Sequence, residues 1–179
     1  MTTGNPIPNR ADREREAISA PPAGIHVGRG EGRLLRALAS QIEVKAGEDA
    51  GLRIGIFRST FPPGAGMPFL HVHRSADEAF CILRGEVQFQ LGAQEIRARA
   101  GSAVLIPAGV PHCFRNVGTD DVEQIVATSD ARLVAAVEAL AQVAPGDIDA
   151  VAQLHERCDS ELLERHPHWG LPAAAPGPS

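Results

Sequence analysis

The chain has 179 residues, 44% of them apolar and 22% charged, which is enough apolar material for one folded domain and excludes a wholly disordered chain. Its formal net charge is −5, from 17 basic and 22 acidic residues, and this sign disfavours nucleic acid as a partner. No run approaches the roughly 18 consecutive apolar residues of a membrane-spanning helix, so no membrane partner is expected. Seven His and no Tyr leave imidazole and carboxylate groups to carry any ligand or acid–base chemistry.

The N-terminal residues and the cysteines predict a cellular compartment. Residues 1–23 are rich in Pro and charge and lack the apolar stretch of a signal peptide, so we expect a flexible N-terminal arm. Cys81, Cys113 and Cys158 lie far apart and form no CxxC pair, which is typical of incidental thiols in a reduced protein. We therefore expect a cytoplasmic protein.

Residues 24–128 show the pattern of an all-β sandwich or barrel. Short apolar runs alternate with Gly, Pro and Asp at about the 8–12-residue spacing of such folds. Gly85 and Gly92 lie in segments that we interpret as tight hairpin connections. Residues 33–39 fit a helix by pattern, but we interpret them as a strand. The apolar runs cover residues 52–57, 79–83, 87–91, 103–106 and 122–127.

Residues 129–170 predict a helical extension of two short helices, followed by a flexible tail at 171–179. Ser129 or Asp130 can cap the first helix, and Asp147 can cap the second. Because helices this short need tertiary support, we expect both to pack on the outside of the β unit. The apolar stripes consist of Leu133, Val134, Val137 and Leu140 in the first helix and Ile148, Val151, Leu154, Cys158 and Leu162 in the second.

Two clusters of residues can carry chemistry. In the first, His71 and His73 are two positions apart, which places both side chains on one face of a strand. Glu78 follows after a turn at residues 74–77, and a hairpin there would bring its carboxylate back towards both imidazoles. The second cluster has the spacing G-x5-P-x-G-x2-H-x3-N, in which the histidine is His112.

These clusters resemble the two motifs of the cupin superfamily. The first motif, G(x)5HxH(x)3,4E(x)6G, fits from His71 to Gly85, with Ala65 at the place of its leading glycine. The second motif fits at every fixed position from Gly101 to Asn116. In residues 61–66, 71–74 and 77–80, and in its helical extension, the chain is similar to the small bacterial quercetinase-like cupins.

The resemblance implies a double-stranded β-helix, or jelly-roll barrel, that holds one divalent transition metal. Three imidazoles and one carboxylate suit Fe, Ni, Mn, Co, Cu or Zn and leave up to two positions open on an octahedral ion. Glu78 is the expected catalytic residue, as a ligand, a base or both. The implied ligands are His71, His73, Glu78 and His112.

Strand parity predicts an apolar substrate pocket beside these ligands. Cys81 and Cys113 have the opposite parity to Glu78 and His112 and should face away from the metal. Plain core packing is the alternative for each pocket residue. We interpret His26, His155, His166 and His168 as surface or capping histidines. The expected pocket residues are Phe80, Ile82 and Phe114, joined by Phe57, Met67, Phe69 and Phe89.

The resemblance implies a metal-dependent dioxygenase that uses dioxygen on an enol-bearing, flavonol-like aromatic substrate. An oxygen-independent isomerase, decarboxylase or cyclase is one alternative, and a non-catalytic small-molecule-binding cupin is another. The absence of Tyr disfavours a sugar epimerase, because that branch uses tyrosine as its acid. Cupins of this size commonly pair through sheet edges, so a homodimer is expected.

Overall fold

The computed structural model describes residues 24–144 and 146–165, and the predicted arm and tail lie outside these residues. Eleven strands and two α-helices follow one another in the described chain. The described residues also include a 3-10 turn at Glu48–Ala50. The strands are β1 (Arg33–Ala37), β2 (Ser40–Ala46), β3 (Gly55–Phe61), β4 (Gly66–His73), β5 (Glu78–Arg84), β6 (Glu86–Leu91), β7 (Gln94–Arg99), β8 (Ala103–Ile106), β9 (His112–Asn116), β10 (Val122–Thr128) and β11 (Ser160–Leu162), and the helices are α1 (Arg132–Leu140) and α2 (Ile148–Arg157).

The strands form two antiparallel sheets that face each other. The larger sheet has the order β1-β2-β3-β10-β5-β8, and the smaller has the order β11-β4-β9-β6-β7. Consecutive strands often lie in different sheets, which is the arrangement of a jelly roll. The predicted all-β double-sheet barrel with short C-terminal helices is therefore confirmed, and residues 33–37 are a strand as interpreted.

The barrel interior follows from strands with a period of two. In β3 every second residue is buried, from Gly55 to Phe61, because alternate side chains of a strand point to one face. Phe80 of the larger sheet meets Phe89 and Phe114 of the smaller one, with ring centroids 5.2 and 5.3 Å apart. These edge-to-face contacts join the two sheets.

The two predicted glycine turns have different outcomes. Gly92 belongs to a true hairpin, because Leu91 pairs with Gln94 across a two-residue turn. The hairpin predicted at Gly85 is wrong, because β5 pairs with β8 and β10 whereas β6 pairs with β7 and β9. Gly85 instead carries the chain from one sheet to the other at a φ of 83°, and a Cβ there would lie 2.9 Å from Cγ2 of Val122.

The C-terminal extension differs from its prediction at both helices. The N-cap position of α1 is Ala131, which makes no side-chain cap, and not Ser129 or Asp130 as predicted. Asp147 caps α2 through its Oδ1, which accepts a hydrogen bond from the backbone N–H of Ala150 at 3.0 Å. The predicted apolar stripe continued in one helix to Leu162, but α2 ends at Arg157 and residues 160–162 form β11, which pairs with β4. The prediction that the helix extends to Leu162 is therefore wrong. Three residues are too few to distinguish the period of a strand from that of a helix.

No helix among the described residues has the length and apolar character needed to span a membrane.

Candidate metal centre and its cavity

The structure brings the four predicted ligands together at one end of the barrel. His71 and His73 come from β4 and His112 from β9, all in the smaller sheet, while Glu78 begins β5 in the larger sheet. Glu78 Oε2 lies 3.0 Å from His112 Nε2 and 3.3 Å from His73 Nε2. One candidate ligand atom from each of these residues lies within 4.8 Å of the others. Glu78 reaches the histidines by crossing between sheets and not through the predicted hairpin. We call these four residues the quartet.

Backbone carbonyls determine the tautomers of two quartet histidines. His71 Nδ1 lies 3.0 Å from the carbonyl oxygen of Phe69, and His112 Nδ1 lies 2.9 Å from that of Val110. Because a carbonyl oxygen only accepts, each Nδ1 must carry the proton and donate it. The Nε2 atom of each neutral ring is then an unprotonated acceptor facing the quartet, and this tautomer is assigned from the hydrogen bonds.

The third histidine is oriented by a serine far away in the sequence. His73 Nδ1 lies 2.6 Å from Ser160 Oγ, and Ser160 itself donates to the carbonyl oxygen of Cys158 at 3.0 Å. Since the hydroxyl proton is used in that second bond, Ser160 accepts from His73 Nδ1–H. All three rings therefore present Nε2 lone pairs beside the Glu78 carboxylate.

A group of acceptor atoms with no donor among them fits a cation. Three imidazole nitrogens and one carboxylate oxygen are the donor set that divalent transition metals take. Hydrogen bonds on the other ring nitrogen are the usual outer support of metal-binding histidines. The quartet thus has the chemistry of a metal site, with a formal surplus of one positive charge on a divalent ion beside one carboxylate.

The environment of the quartet favours a carboxylate at Glu78 and a neutral imidazole at His71. Burial alone would raise the pKa of the Glu78 carboxyl, but in the metal-free site a second proton on His112 or His73 is donated from Nε2 to this carboxylate, and these hydrogen bonds hold the pKa of Glu78 well below its usual range. Burial, reinforced by the neighbouring imidazoles, lowers the pKa of His71 well below its ordinary value of 6.5. Ligands in these protonation states are those that bind metal.

Three members of the quartet, His71, His73 and Glu78, line a cavity of about 120 Å³. Its walls come from the barrel strands and from α1 and α2, so the helices close the barrel over the quartet and do not simply pack on its outside. None of the described residues that line it is Lys or Arg, and the polar groups besides the quartet are three serines and His155. Four of the predicted pocket residues line this cavity: Phe57, Met67, Phe80 and Phe114.

Three predicted pocket residues do not line this cavity. Ile82 and Phe89 are fully buried in the main core, behind the cavity wall. Phe69 lies in an irregular stretch of β4, where the pairing with β9 shifts between Met67 and His71. This bulge turns Phe69 into a second apolar cluster with Met67 and Val151, so parity failed to predict its direction.

Sequence reasoning missed His155 and Ser160. The interpretation of His155 as a surface or capping residue is wrong, because it lines the cavity with its ring centroid 5.2 Å from that of His71. Burial lowers the pKa of His155. Its spacing from Val151 and Cys158 places it on the apolar stripe of α2, a signal that could have revealed it. His26 is exposed as expected, and residues 166–168 lie outside the described chain.

Comparisons with known proteins agree with this barrel. Residues 57–128 match the family model described as "Cupin domain". A predicted oxalate decarboxylase from Thermotoga maritima is 24% identical with a TM-score of 0.50, over 58% of this chain and 97% of that chain. Oxalate decarboxylase from Lactobacillus farciminis is 16% identical with a TM-score of 0.50, over 56% of this chain and 32% of that chain. The cupin domain of Schizosaccharomyces pombe Cnp3 is 18% identical with a TM-score of 0.49, over 60% of this chain and 75% of that chain.

No curated protein sequence matches the chain. At such identities, the structural likeness concerns the fold and not the substrate. The fold is a jelly roll like that of these solved structures, and the match to the family model covers residues 57–128 and ends before α1, α2 and β11 begin.

Proposed function

We propose that this cupin-fold protein is a metal-dependent dioxygenase of a small, enol-bearing aromatic molecule. The observation that carries the proposal is the combination of the acceptor-only quartet with an apolar cavity opening directly onto it. His71, His73, Glu78 and His112 would hold the ion. When bound, a divalent transition metal supplies Lewis acidity for an enolate oxygen and a path for electrons to dioxygen.

The charge of the cavity selects among the substrates that cupins use. A dianion such as oxalate, or a phosphorylated sugar, needs Lys or Arg at its second anionic group, and the described cavity residues offer neither. The formal surplus of one positive charge at the quartet can balance a single enolate. The walls therefore favour a neutral, mostly apolar molecule with one enolisable oxygen.

The size of the cavity narrows the substrate further. An engineered protein cavity of about 150 Å³ holds one benzene molecule, and the cavity here measures about 120 Å³. A single-ring substrate is therefore favoured over a three-ring flavonol, which would require α1 and α2 to move outward.

The chain's own residues have distinct tasks in this function. Glu78 stays ionised because its pKa is lowered, and Oε2 remains with His73 and His112. Its Oε1 has no hydrogen-bond partner among the described residues and can accept a hydrogen bond from the enol hydroxyl of the substrate. Leu133, Val137 and other apolar residues of the helical walls exclude water from the reacting molecule.

Oxygen uptake tests this proposal. Metal-loaded protein is offered catechols, small diketones and flavonols in an oxygen-electrode cell, and we expect dioxygen to be consumed with single-ring substrates before flavonols. The His112→Ala variant should consume none. Turnover that proceeds unchanged without oxygen would instead indicate an isomerase, decarboxylase or cyclase, and binding without turnover would indicate a small-molecule-binding protein.

A further inference from the structure

His155 is an imidazole of the cavity wall that the quartet does not use. Its ring meets that of His71 nearly edge-on, with an interplanar angle of 73°. Its Nδ1 lies 2.9 Å from the carbonyl oxygen of Val151, so Nδ1 carries a proton and donates it. The Nε2 atom has no hydrogen-bond partner among the described residues and remains an acceptor.

The position of His155 is fixed by the pairing of β11 with β4. Ser160 lies opposite His73 and Leu162 opposite His71, only a few residues after α2 ends. The connection is held as well, because the backbone N–H of Arg74 donates to the carbonyl oxygen of Asp159 at 2.9 Å. The C-terminal end of α2 is thereby held over the two β4 histidines.

The proximity of these rings has a chemical consequence. A molecule whose oxygen reaches the quartet would also lie beside His155, since the two imidazoles His71 and His155 line the same cavity. No Lys or Arg is among the described residues that line the cavity, so none can donate to Nε2 of His155. A hydroxyl or N–H of the bound molecule can supply this hydrogen bond. The Nδ1 proton of His155 is already donated to the carbonyl oxygen of Val151. It is therefore not available to hydrogen-bond a carboxylate of the bound molecule.

We propose that His155 is a substrate-binding residue that accepts a hydrogen bond from a second hydroxyl of the substrate, next to the oxygen that reaches the quartet. This inference rests on the proposed function and names its substrate class more closely, as a single-ring aromatic molecule with two neighbouring hydroxyl or enol groups. It also gives α2, which lies outside the matched cupin domain, a role in specificity.

The experiment measures the binding of two probes, catechol and its monomethyl ether guaiacol, by calorimetry under nitrogen so that no oxygen can react. Wild-type protein with its metal should prefer catechol. His155→Phe should lose about three- to tenfold of that preference, the value of one hydrogen bond between neutral groups. His155→Gln, which keeps an acceptor at a similar distance from the backbone, should restore part of it. The matched control is His26→Phe at an exposed histidine.

Metal content is measured in every variant. An unchanged catechol-to-guaiacol ratio in His155→Phe would overturn the inference, as would the absence of catechol binding to the wild type. Loss of metal in both His155 variants would also overturn it, because His155 would then support the quartet. A protein that discriminates the probes through His155 but consumes no oxygen refutes the dioxygenase alone, whereas oxygen uptake with an unchanged ratio refutes only the role of His155.

Discussion

Ser160 Oγ accepts a hydrogen bond from His73 Nδ1 at 2.6 Å, between two residues that are 87 positions apart and directly opposite each other in β11 and β4. Ser160 is itself held by the carbonyl oxygen of Cys158. This bond fixes the His73 ring with Nε2 towards Glu78. The C-terminal segment is therefore part of the candidate metal centre, although it follows the region that matches the cupin family model.

Removing this support should weaken metal binding without removing a ligand. In Ser160→Ala we expect a roughly 10- to 100-fold lower metal affinity, the usual effect of losing a hydrogen bond to a metal-binding histidine. Competition with a chromophoric chelator measures it. Ser75→Ala is the control, because Ser75 Oγ donates to Asp159 in the same region and contacts no quartet residue. Equal affinities in the two variants would show that Ser160 has no part in the site.

The quartet itself can be tested by elemental analysis of purified protein. We expect one equivalent of a transition metal in the wild type and loss of that metal in His71→Ala and in His112→Ala, since each variant leaves three of four ligands. His26→Ala changes an exposed histidine and should keep the metal. Metal retained by both quartet variants would refute the assignment.

The stability of the chelator-treated protein should fall as the pH is lowered below 6.5. Burial lowers the pKa values of His71 and His155 in the folded state, so the unfolded chain binds protons that the folded chain does not. The free energy of unfolding then decreases by up to about 1.4 kcal/mol per pH unit for each histidine below that pH, and is unaffected by them above it. Melting temperatures at pH 7.5 and 5.5 measure the effect. His155→Phe should show a shallower dependence, and an unchanged slope would contradict the assignment to His155.

The three cysteines should react at very different rates. Burial raises the pKa of the Cys113 thiol to about 12 and also raises that of Cys158, whereas Cys81 is exposed on the outer face of β5. Because the thiolate is the nucleophile, native protein at pH 8 should show one fast thiol with a chromogenic disulfide. Cys81→Ser should remove that fast phase. A second fast thiol in the wild type would contradict the described burial.

Replacing the buried Gln124 by an apolar residue should not destabilise the protein. Its side chain is fully buried on β10, and neither amide atom has a hydrogen-bond partner among the described residues. An unpaired buried amide costs about 1–3 kcal/mol, so Gln124→Met should maintain or raise the melting temperature. Gln88→Met is the contrast, because Gln88 donates to Glu95 at 2.9 Å and its loss should lower stability. A fall of the same size in both variants would show that the Gln124 amide is bonded in solution.

Several local features of this protein can be predicted from its residues alone. The two-residue spacing of His71 and His73, the period-two pattern of the strands and the Asp147 cap are local properties, and each is present in the structure. The two motifs also selected all four members of the quartet. Their convergence was predictable because strand parity places alternate residues on one face.

The distant residues that complete the site depend on how the strands pair and pack in the folded chain. Bulging of β4 turned Phe69 away from the cavity, and the sheet-to-sheet crossing at Gly85 replaced a hairpin. The pairing of a three-residue strand placed Ser160 on His73 and α2 over His71. Such contacts depend on the pairing and packing of segments that are far apart in the sequence. Periodicity describes each segment alone, so it does not predict which segments pair.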